Sequence, residues 1–513
     1  MKKGSAFLAA ILGAVMCFGC GKPNSETPPD KEPEGDKWAV EFVSVFEGEE
    51  KQIASGGKCV YEPGADLGDK NYLKMIVSSN VTLRGEIRYA YEYKGDITDD
   101  SDEDVETFYT LAGQNVELRQ ILDFYGENEG NKKLRSIELF NLGDTDGKIT
   151  LSNVSAAKHP IDFYDVSFTN KEVEPQMQLF VAGETVKIGC TLKSGGAVNW
   201  LSSTDGTVRQ INTENGVYVG KEQKSGAVVA DNDVNLVNSH DNGRLIQQSY
   251  YGIGPDNNQG YIPGEFGADD NNTRPWHYNP VQGGDKKNFF SRLVDVQVSE
   301  GEVYIKARPM DWAKVNEVTP SYMENWYSVE KDPELGEYVK VRNRFTDFSG
   351  YEHNNPRAQE LPAFYGIAPL GKAVYYNGDK PFTNDELTYR ENMAFWDGNR
   401  DARMRCTENW IAWVNEEDWG IGLYVPDVVT TLAGRTTGFN NSVAELGSAP
   451  YKAASSTYAA PLGNFSMETY KAFDYTYYLA LNSVSGVREL FAKLKEGGAK
   501  NEFLVGKEVP NWV

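Results

Sequence analysis

The sequence predicts an all-β protein: a β-sandwich near the N-terminus, then a much larger double-sheet sandwich, with one helix late in the chain. Three observations predict it. Apolar Val81, Leu83, Ile87, Tyr89, Tyr91 and Tyr93 alternate with Thr82, Arg84, Glu86 and Arg88, the period of a strand with one buried face. Two more strand-like runs, 294–298 and 303–307, flank the turn Ser299-Glu300-Gly301-Glu302. Helical spacing is clear only at Val487, Leu490, Phe491 and Leu494, with Ser485 as cap and Glu489–Lys493 as an i,i+4 pair.

Taken in order, the first residues set the compartment. Lys2 and Lys3 precede an apolar span from Ala6 to Val15, too short to cross a bilayer and suited to a secretory signal. It ends in Cys17-Phe18-Gly19-Cys20, which resembles a bacterial lipoprotein signal, residues 1–20, in which Cys20 is lipidated after cleavage. Plain secretion is the other reading. Residues 21–36, GKPNSETPPDKEPEGD, cannot bury a core and read as a disordered tether. The expectation is therefore an exported, membrane-anchored protein at the cell surface or in the periplasm.

Residues 37–160 form the first module. Ile137 and Leu139 mark a second strand in it, and Ile149, Leu151 and Val154 a third, with the turn Gly143-Asp144-Thr145-Asp146-Gly147 between them. A sandwich of about 120 residues is the natural size. This module resembles the jelly-roll accessory modules that bind carbohydrate. The acidic run Asp99, Asp100, Asp102, Glu103, Asp104 and Glu106 lacks regular ligand spacing, so it reads as a solvated loop before a calcium site. No cofactor is expected, and a structural calcium ion is the one exception that run leaves open.

His159-Pro160 interrupts the next strand and marks the junction. Residues 161–513 stay β-rich. A weak strand lies near Gln176–Val181. The stretch TENWIAWVNEEDWGIGLYVP, Thr407 to Pro426, reads as strand, acidic turn, strand. That hairpin, in a region this large, resembles the galactose-mutarotase-like sandwiches of sugar epimerases, glycoside hydrolases and polysaccharide lyases. The resemblance implies a carbohydrate substrate. Composition agrees: aromatics make up 12% of the chain, with 29 Tyr and 10 Trp. A formal net charge of −24 argues against nucleic acid as a partner. Cys59, Cys190 and Cys406 are far apart and match no metal spacing; they read as buried small hydrophobes, with one disulfide as the other reading.

Candidate site residues come from three segments where scarce histidines meet amides, arginines and acids. NSHDNGRLIQQSYYG, 238–252, carries His240, Asp241, Arg244, Gln248 and Tyr250. If 244–249 is a strand, Arg244, Ile246 and Gln248 share a face. RPWHYNPVQGGD, 274–285, adds Trp276, His277, Asn279, Gln282 and Asp285, and YEHNNPRAQELP, 351–362, adds His353, Arg357 and Glu360. Loops on a rigid sheet scaffold are where sites are built. Glycoside hydrolysis needs two carboxyl groups, for which Asp241, Asp285 and Glu360 are the candidates. β-Elimination needs a base such as His240 or His277 with Tyr250, and Arg244 and Asn279 to hold the anion. Mutarotation needs one base and one acid, for which a Glu and a His suffice.

Each has a plainer reading. A loop histidine more often holds structure, Arg244 could simply pair with Asp241, and Trp276 could cap a core rather than stack on a sugar. Trp410, Trp413 and Trp419 read as packing. His240, His277 and His353 lack zinc-ligand spacing, and no nucleophile elbow, P-loop or dinucleotide fingerprint occurs. The expectation is a surface-anchored enzyme that cleaves a polysaccharide or oligosaccharide, hydrolase before lyase, with catalytic His240, Asp241, His277 and Glu360. A glycan-binding protein without catalysis and a purely structural lipoprotein are its rivals.

Overall fold

The computed structural model describes residues 38–92, 103–124, 130–161, 178–204, 235–252, 278–299, 301–312, 314–353, 356–391, 393, 403–436 and 455–510. The signal, the tether, Trp276 and His277 lie outside them. Met1–Ala39 and Val40–Val513 are separate units, and the fold below is that of the second.

The first module is built from β1 (Val43–Ile53), β2 (Lys58–Tyr61), β3 (Ala65–Gly68), β4 (Tyr72–Ser79), β5 (Leu83–Glu92), β6 (Glu103–Thr110), β7 (Gly113–Ile121), β8 (Asn131–Asn141) and β9 (Gly147–Ala157). β1-β9-β4-β7 make one antiparallel sheet and β2-β8-β5-β6 the other, with β3 also on β8. This is the strand order of a jelly roll. Alternate residues face inward, so Leu73, Met75 and Val77 of β4 meet Leu83, Ile87 and Tyr89 of β5 in one core. The turn at 143–147 joins β8 to β9 across the two sheets, and the Asn141 amide braces it by donating to Thr145 O at 2.8 Å. The acidic run is not a loop throughout: from Glu103 it is strand β6. Burial raises the Glu106 pKa to about 7.

The larger region opens with a three-stranded sheet of β10 (Gln178–Ala182), β11 (Val186–Thr191) and β12 (Ala197–Ser203). There follow β13 (Gln247–Ser249), β14 (Pro280–Val281), β15 (Arg292–Ser299), β16 (Glu302–Arg308), β17 (Met310–Asp311), β18 (Ser321–Asp332) and β19 (Gly336–Asp347). Next come β20 (Arg357–Ile367), β21 (Lys372–Tyr375), β22 (Thr388–Glu391), β23 (Arg403–Arg405), β24 (Trp410–Val414) and β25 (Trp419–Tyr424). β26 (Thr430–Thr436), β27 (Ser456–Phe465) and β28 (Ala472–Ser483) complete it. Seven strands form one sheet, β17-β14-β13-β20-β27-β26-β23, and nine the other, β15-β16-β18-β19-β28-β25-β24-β21-β22. The inner faces meet where Tyr250 of the first sheet packs on Phe345 and Phe473 of the second, ring centroids 4.8 and 5.0 Å apart. Both expected hairpins are present: β15–β16, closing at Ser299–Glu302, and β24–β25.

Helix α1 (Val484–Glu496) covers the outer face of the nine-stranded sheet, burying Val487, Leu490 and Phe491 against Trp410 and Tyr424. Its cap is Ser483, not Ser485: the Ser483 Oγ accepts from Gly486 N. Lys493 reaches Asp332 and Glu334 instead of Glu489, because both acids lie on the tip of the β18–β19 hairpin beside the last turn. Arg488 is buried and forks onto Glu408 through Nε at 3.0 Å and Nη2 at 2.7 Å. Glu408 also accepts from Trp410 Nε1.

His159 joins the two modules. Its Nδ1 accepts from Ile161 N and its Nε2 lies 3.0 Å from Val296 O in β15, which fixes the neutral Nε2–H tautomer. Burial lowers its pKa to about 4. Beside it, Tyr72 of β4 hydrogen-bonds Asp295 of β15. Cys59, Cys190 and Cys406 are buried and free.

Candidate functional site

Strand alternation places the site. Gln248 and Tyr250 point between the two sheets, where the Gln248 amide donates to Glu324 O and Asn325 Oδ1. Gln247, Ser249 and Tyr251 must then point to the opposite face of the seven-stranded sheet. On that face lies a cleft of about 430 Å³, to which β13, β20, β26 and β27 all contribute.

Five of the expected polar groups meet there: Asp241, Arg244, Asn279, Arg357 and Glu360. Asp241 opens a turn. Its carboxylate accepts from Gly243 N at 3.0 Å, and Arg244 N closes on Asp241 O at 3.0 Å. Arg244 Nη1 returns to pair with the same carboxylate. Gly243 leaves room for the Trp312 ring that lines the cleft: a Cβ would stand 2.6 Å from it, and the ring would have to shift. Arg244 thus pairs with Asp241, as its plain reading had it, and also lines the cleft.

Glu360 sits on β20 opposite Ser249 of β13 and Leu462 of β27. Its carboxyl is buried, and Tyr458 Oη donates to it. Burial raises its pKa, against the hydrogen bonds from Tyr458, Tyr251 and Ser249 that favour the ionised form. Tyr365 and Tyr458 pack with ring centroids 4.7 Å apart. Burial, and then the Glu360 charge, raise the pKa of all three phenols, Tyr251, Tyr365 and Tyr458. The result is a carboxyl group held toward neutrality among phenols and an ion-paired carboxylate lining the same cleft.

Most of the other sequence candidates lie elsewhere. Gln248, Tyr250 and Gln282 belong to the amide network between the sheets, in which Gln282 Nε2 donates to Gly195 O and Asn325 Oδ1. The face shared by Arg244 and Gln248 does not form, since β13 begins only at Gln247 and Arg244 is in the preceding turn. Asp285 is fully buried and braces its own loop, accepting from Lys287 N, Phe289 N and Asn316 N. His353 is buried, its ring stacked on Tyr278 at 4.6 Å with Asp347 Oδ2 3.8 Å away. His240 is exposed at the start of the Asp241 turn and is not part of the cleft wall. Asn279 lines the cleft while its amide donates to Tyr250 O at 2.6 Å. Trp276 and His277 lie outside the described residues.

Sequence reading missed Tyr251, Tyr365, Tyr458, Trp312 and Arg403. Tyr251 lay within the quoted segment, one residue from the tyrosine chosen. Tyr365 and Tyr458 come together only through the β20–β27 pairing, where they are register partners. No linear signal connects them. Among the described residues, no group of three or more His, Cys, Asp or Glu could hold a metal ion. None of the described helices is long and apolar enough to cross a membrane.

No protein-family model matches the chain, and no curated protein matches it. Among solved structures, it is similar to a putative aldose 1-epimerase from Klebsiella pneumoniae subsp. pneumoniae, with 10% identity, 66% of this chain and 88% of the other covered, and a TM-score of 0.30. A putative mutarotase from Salmonella typhimurium gives 10% identity, 60% and 90% coverage and a TM-score of 0.27. A mutant of a family 29 carbohydrate-binding module gives 11% identity, 24% and 87% coverage and a TM-score of 0.16. Likenesses this low carry no argument about what the cleft does.

Proposed function

We propose that the chain is a carbohydrate-active enzyme that hydrolyses an oligosaccharide or polysaccharide in this cleft. One observation carries the reading: two carboxyl groups share the cleft in opposite surroundings, Glu360 buried among phenols and Asp241 paired with Arg244. Glycoside hydrolysis asks for that division, one carboxyl to give a proton and one to stay ionised. Glu360 would protonate the glycosidic oxygen as the bond to the anomeric carbon breaks. Asp241 would take the proton of the attacking water or attack that carbon itself. Arg357 and Asn279 would orient the ring.

Lyase chemistry fits less well. It needs a base, and the three phenols at the cleft have their pKa values raised, which makes them poor proton acceptors near neutrality. In this reading lipid on Cys20 holds the body near a membrane, and residues 21–36 act as the spacer. The test is a polysaccharide panel assayed for both new reducing ends and unsaturated-uronide absorbance. Reducing ends without absorbance support hydrolysis. Absorbance supports a lyase, and retention on a glycan gel with neither signal supports a binding protein.

A further inference from the structure

We infer that Trp312 is the stacking wall of the cleft: one face of its indole takes the C–H face of a pyranose ring, the unit whose anomeric carbon meets Asp241. The inference rests on the cleft being a carbohydrate site and names the residue that holds the sugar there.

The position of the ring is the first ground. Trp312 directly follows β17, the edge strand of the seven-stranded sheet, and its N donates to Asn279 O at 2.8 Å. Asn279 lines the same cleft. On its other side the indole rests on the Asp241 turn. A Cβ on Gly243 would stand 2.6 Å from Trp312 Cη2, 3.3 Å from Cζ2 and 3.3 Å from Asp241 Oδ1. Cη2 and Cζ2 form the outer edge of the six-membered ring. The indole therefore meets the turn by that edge and leaves both faces clear of it. The same glycine carries the ring edge on one side and the Asp241 carboxylate on the other.

The open face is the second ground. Trp312 is half-buried and lines the cleft. Among the described residues, no other ring and no cation packs on it. Trp326 is half-buried as well, but its ring is covered, with the Arg342 guanidinium 3.9 Å from the ring centre and Tyr304 at 4.9 Å. A pyranose is apolar on the face where its C–H groups point and polar around its rim. The electron-rich indole face suits those C–H groups, while the rim meets the polar groups of the same cleft, Asp241, Arg244 and Asn279.

The test measures binding in the Glu360→Gln background, so that cleavage does not intervene, with hexasaccharides of cellulose, xylan, mannan, galactan and polygalacturonate. Calorimetry should show at least one of them bound, and Trp312→Ala should weaken it about tenfold or more. Trp312→Phe, which keeps an aromatic face, should stay within about threefold. Saturating sugar should also shift the tryptophan emission, and Trp312→Phe should abolish that shift while binding persists, which a merely structural indole would not do. Thermal melts of both variants check the fold. Unchanged binding in Trp312→Ala would overturn the inference, as would an emission shift that survives Trp312→Phe. If a glycan is cleaved in a Glu360-dependent way and Trp312→Ala keeps the parent KM, the inference fails while the hydrolase reading stands. If no glycan binds at all, both fail.

Discussion

Glu360 is a carboxyl group that the fold makes costly to ionise. Its pKa is raised in the folded state, so its contribution to stability is present at low pH and is lost as pH rises through that raised value. A non-titrating amide escapes the loss. Glu360→Gln should therefore melt no lower than the parent at neutral pH, with any advantage growing as pH rises from acid; calorimetry across pH checks this. The Tyr458 hydrogen bond works in the opposite direction, favouring the ionised form. Tyr458→Phe should then raise the Glu360 pKa further and carry the alkaline limb of kcat/KM to higher pH, which a pH–rate profile reads directly. At this scale the sequence revealed half of the site. Asp241, Arg244 and Glu360 stood out as charges in odd company. The phenols that set the character of Glu360 did not, because cross-strand register brings them there and nothing in their own segments announces it. Gln248 and Tyr250 were legible as polar and aromatic but not in direction. A face read from Arg244 onward fails when the strand starts three residues later, and in a strand an error of one position turns every side chain over.

At the scale of elements the sequence was far more legible, since alternation and helical spacing are local. β5, the β15–β16 hairpin, the β24–β25 hairpin and α1 all follow apolar patterns that burial alone enforces. Capping was misread by two residues because Ser483 and Ser485 are both serines at a strand-to-helix corner, and only the extended backbone of Ser483 turns its Oγ onto Gly486 N. Ser483→Ala should cost about 1 kcal/mol in denaturant unfolding, and Ser485→Ala much less. The pair that anchors α1 to the sheet had no sequence signal, as Glu408 and Arg488 are 80 residues apart. Glu408 is fully buried and accepts both arms of Arg488, so Glu408→Ala strands a guanidinium inside the protein. A loss of about 3–5 kcal/mol is expected, read as a lowered denaturation midpoint, with much of it recovered if Arg488 is replaced by an apolar residue as well.

At the largest scale the described residues of the second unit form a jelly roll and a double-sheet sandwich, and the join at His159 is sensitive to acid. His159 is neutral at the junction, and its folded pKa of about 4 lies below the ordinary value of 6.5. As pH falls, the unfolded chain takes up the proton first. Stability should be complete above about pH 6.5 and decline by about 3 kcal/mol as pH falls toward 4, flattening below it. Urea unfolding at a series of pH values should show that slope, and His159→Gln should flatten it. His159-Pro160 was readable as a break in the strand pattern, but the histidine's role as a link to Val296 was not, being a contact across 137 residues of chain. The cleft likewise belongs to the whole, assembled on one sheet from segments more than 200 residues apart, from Asp241 to Leu462. Its assignment is tested most directly by the rate of reducing-end release from the best substrate of the panel, measured for the parent and for Glu360→Gln at matched thermal stability. The account predicts release by the parent and a fall of about a thousandfold or more in the variant. Equal rates in the two proteins would contradict it.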